Sequence, residues 1–137
     1  MTNKIECKWL EDMTFEAEAD NHIFHIDLDE GKGGHDKGPR PKPLTLVSLA
    51  GCTGMDVIFI LKKMKIVPTY FNITIEGELT ETNPKYYHKI HIVYEIQGEN
   101  IPHHKVEEAV NLSQDTYCGV SALLKKGAEI THEIRYL

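Results

Sequence analysis

Three cysteines at wide spacing, Cys7, Cys52 and Cys118, are the most reactive side chains in the sequence. A thiol attacks or ligates only as its thiolate, whose population rises at a helix N-terminus or beside a cation and falls in apolar surroundings. The element around each sulfur therefore decides what it can do. Cys7 alternates with Ile5 and Trp9, the pattern of one strand face, and reads as a small buried hydrophobe. Cys52 lies between Gly51 and Gly54 in an apolar stretch, where small residues allow a second backbone to approach and the thiol points along the Ser48, Cys52, Asp56 line of a helix. An inert core thiol fits that composition as well. Cys118 falls at the joint of two helical segments, so the free N–H groups of Val120 and Ser121 are placed to stabilise a negative sulfur; a buried helix-end cysteine is the plainer description.

Other chemistries are harder to assemble from these residues. His88 and His91, like His22 and His25, stand three apart on strands and point to opposite faces, and no CxxC or HExxH spacing occurs, so no metal site is expected. The Gly-rich run GKGGHDKG lacks the phosphate-cradling GxxxxGK[ST] pattern. Fifteen Lys and Arg against 21 Asp and Glu leave a net charge of −6, with no basic block longer than a pair, which argues against nucleic acid as a partner. An odd cysteine count makes a poor disulfide framework, and the charged N-terminus MTNKIECKWLEDMTF has no apolar core of a secretory signal, so a reducing, cytoplasmic setting is expected. A chain of 137 residues with 41% hydrophobic residues is read as one domain, 1–137, with a core of its own.

The elements that must position these side chains follow from periodicity. Residues 1–28 alternate as three short antiparallel strands, with turns at Glu11-Asp12 and Asp20-Asn21. Residues 29–43, with four Gly and three Pro, read as a mobile, exposed loop. Residues 44–61 carry a single charge, Asp56. Too many polar and small positions interrupt them for a membrane span, and they read as a helix apolar on nearly every side, buried in the fold or in a dimer. Two strands, Tyr70–Leu79 and Tyr87–Gln97, pair through the Thr82-Asn83-Pro84 turn. A helix opened by Ile101-Pro102 places Val106, Ala109, Val110, Ser113 and Tyr117 on one stripe and delivers Cys118 at its end. A short helix over 120–126 and a strand over 128–136 complete an α+β order.

GPRPKPLTLVSLAGCTGMDVIFILKK, followed 66 positions after its cysteine by VNLSQDTYCGVSALLKKGAEITHEIRYL, resembles the OsmC/Ohr family over nearly the whole chain. The shared pattern is a Pro-rich loop, a long apolar helix with Ala50-Gly51 before Cys52, and a second cysteine entering a short helix and a last strand. The resemblance implies an intertwined homodimer, with antiparallel sheets from both chains around the long central helices and active sites at the interface. It also implies thiol-dependent reduction of small organic hydroperoxides; no bound cofactor is expected. Cys52 would attack the peroxide and become a sulfenic acid, Cys118 would resolve it to a disulfide, and a lipoyl-type dithiol would restore the pair.

One family feature is missing. The Glu that peroxide-reducing members place nine or ten residues before the first cysteine is replaced by Pro43 and Lys42, and no acid stands between Asp36 and Asp56. Arg40, one of two arginines, would swing over the thiolate or remain a solvated loop charge; Lys42 would supply positive charge or remain an exposed lysine. Asp56 would repel a thiolate unless paired, either with a His or Lys of the partner chain or as a satisfied buried Asp without a catalytic part. The missing Glu leaves a second reading open: a redox sensor, or a dimer that binds a small apolar ligand without turnover.

Overall fold

Strand signals at both ends of the chain and one long apolar helix between them dictate where the chain can turn. The computed structural model describes all residues 1–137. Backbone contacts divide the chain into two compact units, Met1–Thr45 and Leu46–Leu137.

In the first unit, β1 (Glu6–Glu11), β2 (Thr14–Ala19) and β3 (His22–Ile26) form an antiparallel sheet in the order β1-β2-β3. Asp20 and Asn21 both have positive φ, as a two-residue hairpin turn requires. Cys7 is exposed, as is every residue of β1. This corrects the expectation of a buried thiol, because alternation shows which residues share a face and not whether anything covers it.

The segment read as a mobile loop is organised around one carboxylate. Asp27, 1% exposed, accepts the Thr14 hydroxyl at 2.8 Å and the backbone N–H groups of Leu28, His35 and Lys37 at 2.8, 3.2 and 3.2 Å. A Cβ on Gly38 would run into the His25 carbonyl and one on Gly34 into that of Leu28, so the glycines serve close approach here rather than freedom. The Pro-rich end of the segment belongs to a helix. α1 runs Pro41–Lys63, starting three residues earlier than expected, because the missing N–H of a proline costs nothing in a first turn.

In the second unit, β4 (Tyr70–Leu79) pairs antiparallel with β5 (Tyr87–Gln97), and β6 (Glu129–Tyr136) adds to β5 in parallel. The expected antiparallel pairing thus covers β1–β5 and fails at β6. The crossover between β5 and β6 contains α2 (His103–Leu112), a π-helical turn (Ser113–Tyr117) and α3 (Gly119–Leu124), long enough to return the chain in the same direction.

α1 is long and apolar enough to cross a membrane by length and composition. It buries one stripe, Leu49, Thr53, Val57 and Leu61, at four-residue spacing, in a core shared with Ile90, Ile92, Tyr94 and Ile96 of β5 and Val106, Ala109 and Val110 of α2. Burying an aliphatic side chain of this size contributes about 1.5–3 kcal/mol, which makes this stripe the main attachment of α1 to its sheet. Its other side is open: Val47, Met55 and Phe59 are 62%, 76% and 59% exposed. The helix is therefore not enclosed within this chain. Gly54 brings α1 close to β4, where a Cβ would stand 2.9 Å from Ile73 Cδ1, whereas Gly51 faces open space.

Asp27 generates a prediction for acid stability. Burial pushes its pKa up, but the Thr14 hydroxyl and three backbone N–H groups outweigh burial and hold it at about 2, against an ordinary 3.8. A depressed carboxylate contributes stability that is present above the ordinary value and fades as the pH falls toward the folded one. Thermal melting followed from pH 7 to pH 2 should show Asp27→Asn less stable than the parent at neutral pH, with the gap closing between pH 3.8 and about 2. A gap that does not change with pH would show that the charge is not what matters.

Candidate active site

α1 places Cys52 beside the buried stripe, one residue before Thr53, and Asp56 one turn later. The chain after α2 brings the second sulfur to it. α2 ends at Leu112 and widens into the π turn, in which the Cys118 N–H donates to the Ser113 carbonyl at 2.7 Å, five residues back. Cys118 then turns extended and caps α3, accepting the Ser121 N–H on its sulfur at 3.4 Å. The two cysteine side chains approach to 3.3 Å. Their sulfurs and an Asp56 carboxylate oxygen lie within 4.8 Å of one another. Cys52 is half-buried and Cys118 buried, so Cys52 is the sulfur a dissolved reagent meets first.

Two thiols have little attraction for each other, and a fully satisfied polar network holds their elements in place. Thr53 Oγ1 lies 2.7 Å from Tyr94 OH and 2.8 Å from Ser113 Oγ. Gln114 Nε2 donates to Thr53 Oγ1 at 3.1 Å and to Tyr94 OH at 3.2 Å, while its Oε1 accepts Ser121 Oγ at 2.8 Å. Ser113 Oγ donates to Asp56 Oδ2 at 2.9 Å. That last bond sets the direction of the others: with its hydrogen given to Asp56, Ser113 must accept from Thr53, which accepts from Tyr94 and Gln114 in turn. Burial pushes the Tyr94 phenol up, so it keeps the proton it donates. No buried side-chain nitrogen or oxygen lacks a partner. One network thus joins α1 at Thr53, β5 at Tyr94, the π turn at Ser113 and Gln114, and α3 at Ser121.

Burial pushes the Cys118 thiol up to about 11; the Ser121 N–H pulls the other way, and the neighbouring Cys52 and Asp56 push it up further. At neutral pH Cys118 holds its proton. The helix N–H groups expected to favour a negative sulfur are represented by Ser121 alone, and desolvation wins. Asp56 accepts a hydrogen bond within its own chain, from Ser113 Oγ.

The remaining anticipated residues lie in the first unit. Arg40 is tied down there, donating to Asp36 Oδ1 at 2.6 Å and to the Gly38 carbonyl at 2.9 Å. Lys42 is exposed in the first turn of α1. Sequence reasoning missed Thr53, Tyr94 and Gln114, named Ser121 for its backbone N–H and not for its hydroxyl, and read Ser113 only as part of an apolar stripe. Tyr94 carried a usable signal, a hydroxyl on the inward face of β5 between Ile92 and Ile96. Gln114 carried none, because only the π turn rotates it into the core.

The OsmC-like protein family matches residues 34–133. The chain belongs to that family. It is 32% identical over 126 residues to protein YhfA of Escherichia coli K12, covering 91% of each chain. Its structure is similar to that of a hypothetical protein from Aquifex aeolicus VF5, with a TM-score of 0.84, 29% identity and coverage of 100% and 98% of the two chains. An organic hydroperoxide resistance protein from Elizabethkingia anophelis shares the fold at a TM-score of 0.70 and 16% identity, over 100% and 97% of the two chains.

The network predicts a stability penalty away from both sulfurs. Gln114→Leu leaves Thr53, Tyr94 and Ser121 each short of a partner, and a buried polar group left unpaired costs about 1–3 kcal/mol. Urea unfolding should place this variant at least about 2 kcal/mol below the parent, whereas a loss within error of zero would show that Gln114 is not a structural link.

Proposed function

We propose that this OsmC-like protein is a thiol peroxidase for small organic hydroperoxides, with Cys52 as nucleophile and Cys118 as resolving thiol. The observation that carries the reading is the pairing of a half-buried sulfur with a buried one at 3.3 Å, from positions 66 residues apart. In the first step Cys52, as thiolate, attacks the outer peroxide oxygen. The O–O bond breaks, the alcohol leaves with a proton, and Cys52 becomes a sulfenic acid. In the second, Cys118 gives up its proton and attacks the Cys52 sulfur, releasing water and forming a disulfide. A disulfide needs the sulfurs at about 2.05 Å, so closure is a movement of little more than one ångström. A lipoyl-type dithiol then reduces the disulfide and is itself oxidised, in keeping with a reducing compartment such as the cytoplasm.

The open side of α1 supports the proposal that the working form is a homodimer. Val47, Met55, Ile58 and Phe59 of the helix, with Phe71 and Ile73 of β4, line an apolar groove of about 700 Å³. A second copy of this chain laid along it would give those side chains the cover that one chain does not. Light scattering after gel filtration should give the mass of a dimer, and Phe59→Glu should give that of a monomer; a monomeric parent would refute the pairing.

Arg40, held by Asp36, together with the absence of an acid from residues 37 to 55, favours the second reading, a sensor oxidised once without turnover. Kinetics separate the two. With cumene hydroperoxide and an excess of dihydrolipoamide, a peroxidase consumes many equivalents of peroxide per chain, and Cys52→Ser abolishes this consumption. Consumption that stops at one equivalent, or that survives Cys52→Ser, would overturn the peroxidase.

A further inference from the structure

We infer that the reduced Cys52–Cys118 pair, together with Asp56, forms a binding site for a thiophilic divalent cation of the zinc class. Two thiols and a carboxylate are a zinc-type donor set, and their donor atoms already lie within 4.8 Å of one another. The magnitudes favour the fit. Zn–S bonds of about 2.3 Å in a tetrahedron put two sulfurs about 3.8 Å apart, so the pair at 3.3 Å must open by about half an ångström. Closing to a disulfide requires more than twice that movement.

Two of the three donors are also oriented from behind, as metal ligands usually are. Ser113 Oγ donates to Asp56 Oδ2, and the Ser121 N–H donates to Cys118 Sγ. Cys52 and Asp56 are half-buried, which leaves the cation an entry side and a fourth position for water or an exchanging ligand. Spacing motifs do not find such a site: Cys52 and Asp56 stand four apart on one helix, the separation of the two His in HExxH, but the third donor comes from the cap of another helix. Thiolates also select against magnesium and calcium.

The test uses the full chain, reduced and stripped of metal with a chelator. Zinc chloride is titrated against a chromophoric competitor, and cadmium chloride while the sulfur-to-cadmium charge-transfer absorption is followed. One zinc per chain is expected, along with a cadmium band that disappears when the pair is first oxidised with diamide and returns on reduction. Because that comparison uses unaltered protein, it does not depend on any variant folding. Cys7→Ser should bind as the parent does, and Asp56→Asn should lose at least about tenfold in zinc affinity. Binding unaffected by oxidation, displacement by excess magnesium, or unchanged affinity in Asp56→Asn would overturn the site. The peroxidase reading is judged on metal-free protein, so the two proposals fail separately.

Discussion

The arrangement of this protein depends on a small set of buried hydrogen bonds around Thr53 and Gln114. Packing alone would hold α1 against its sheet, since Leu49, Val57 and Leu61 are fully buried. Apolar contact has no direction, however, and would tolerate small slides of α1 along β5. The bonds from Thr53 to Tyr94 and Ser113, and those of Gln114 to Thr53, Tyr94 and Ser121, do have direction, and they fix the chain after α2 against α1. The proximity of Cys52 and Cys118 is a consequence. Such a network is costly when incomplete, which is why each member here is satisfied.

The same network explains how one site gives two sulfurs different characters. Cys118 is drawn inward by the π turn and capped onto α3, where burial keeps its proton in place. Cys52 sits where the buried stripe of α1 gives way to its open face. The inner thiol thus holds its proton while the outer one is the more accessible of the two. Positions 42 and 43 hold Lys and Pro, and Arg40 is bonded to Asp36.

Much of the framework was legible beforehand because it rests on local rules. Alternation gave β1–β5, the apolar run gave α1, and the cysteine neighbourhoods gave the family and with it the pairing of Cys52 with Cys118. The misreadings share a cause, that local pattern carries no information about what lies across from it. Cys7 sits on a regular strand face that nothing covers. Residues 29–43 are exposed over most of their length, as expected, but the pattern gave no sign that Asp27, outside the segment, collects N–H groups from it. β6 reads correctly as a strand, but its direction is set by the crossover that precedes it. The π turn was invisible because one extra residue per turn has no compositional mark, and the inward turn of Gln114 was hidden along with it.

The most direct measurement is the identity of the disulfide formed under mild oxidation. Reduced protein treated with diamide, trapped by alkylation, digested and analysed by mass spectrometry should yield one dominant intramolecular link, between the peptides containing Cys52 and Cys118, with Cys7 alkylated. A dominant link through Cys7, or Cys52 and Cys118 both recovered as free thiols, would contradict the arrangement from which all the chemistry above is derived.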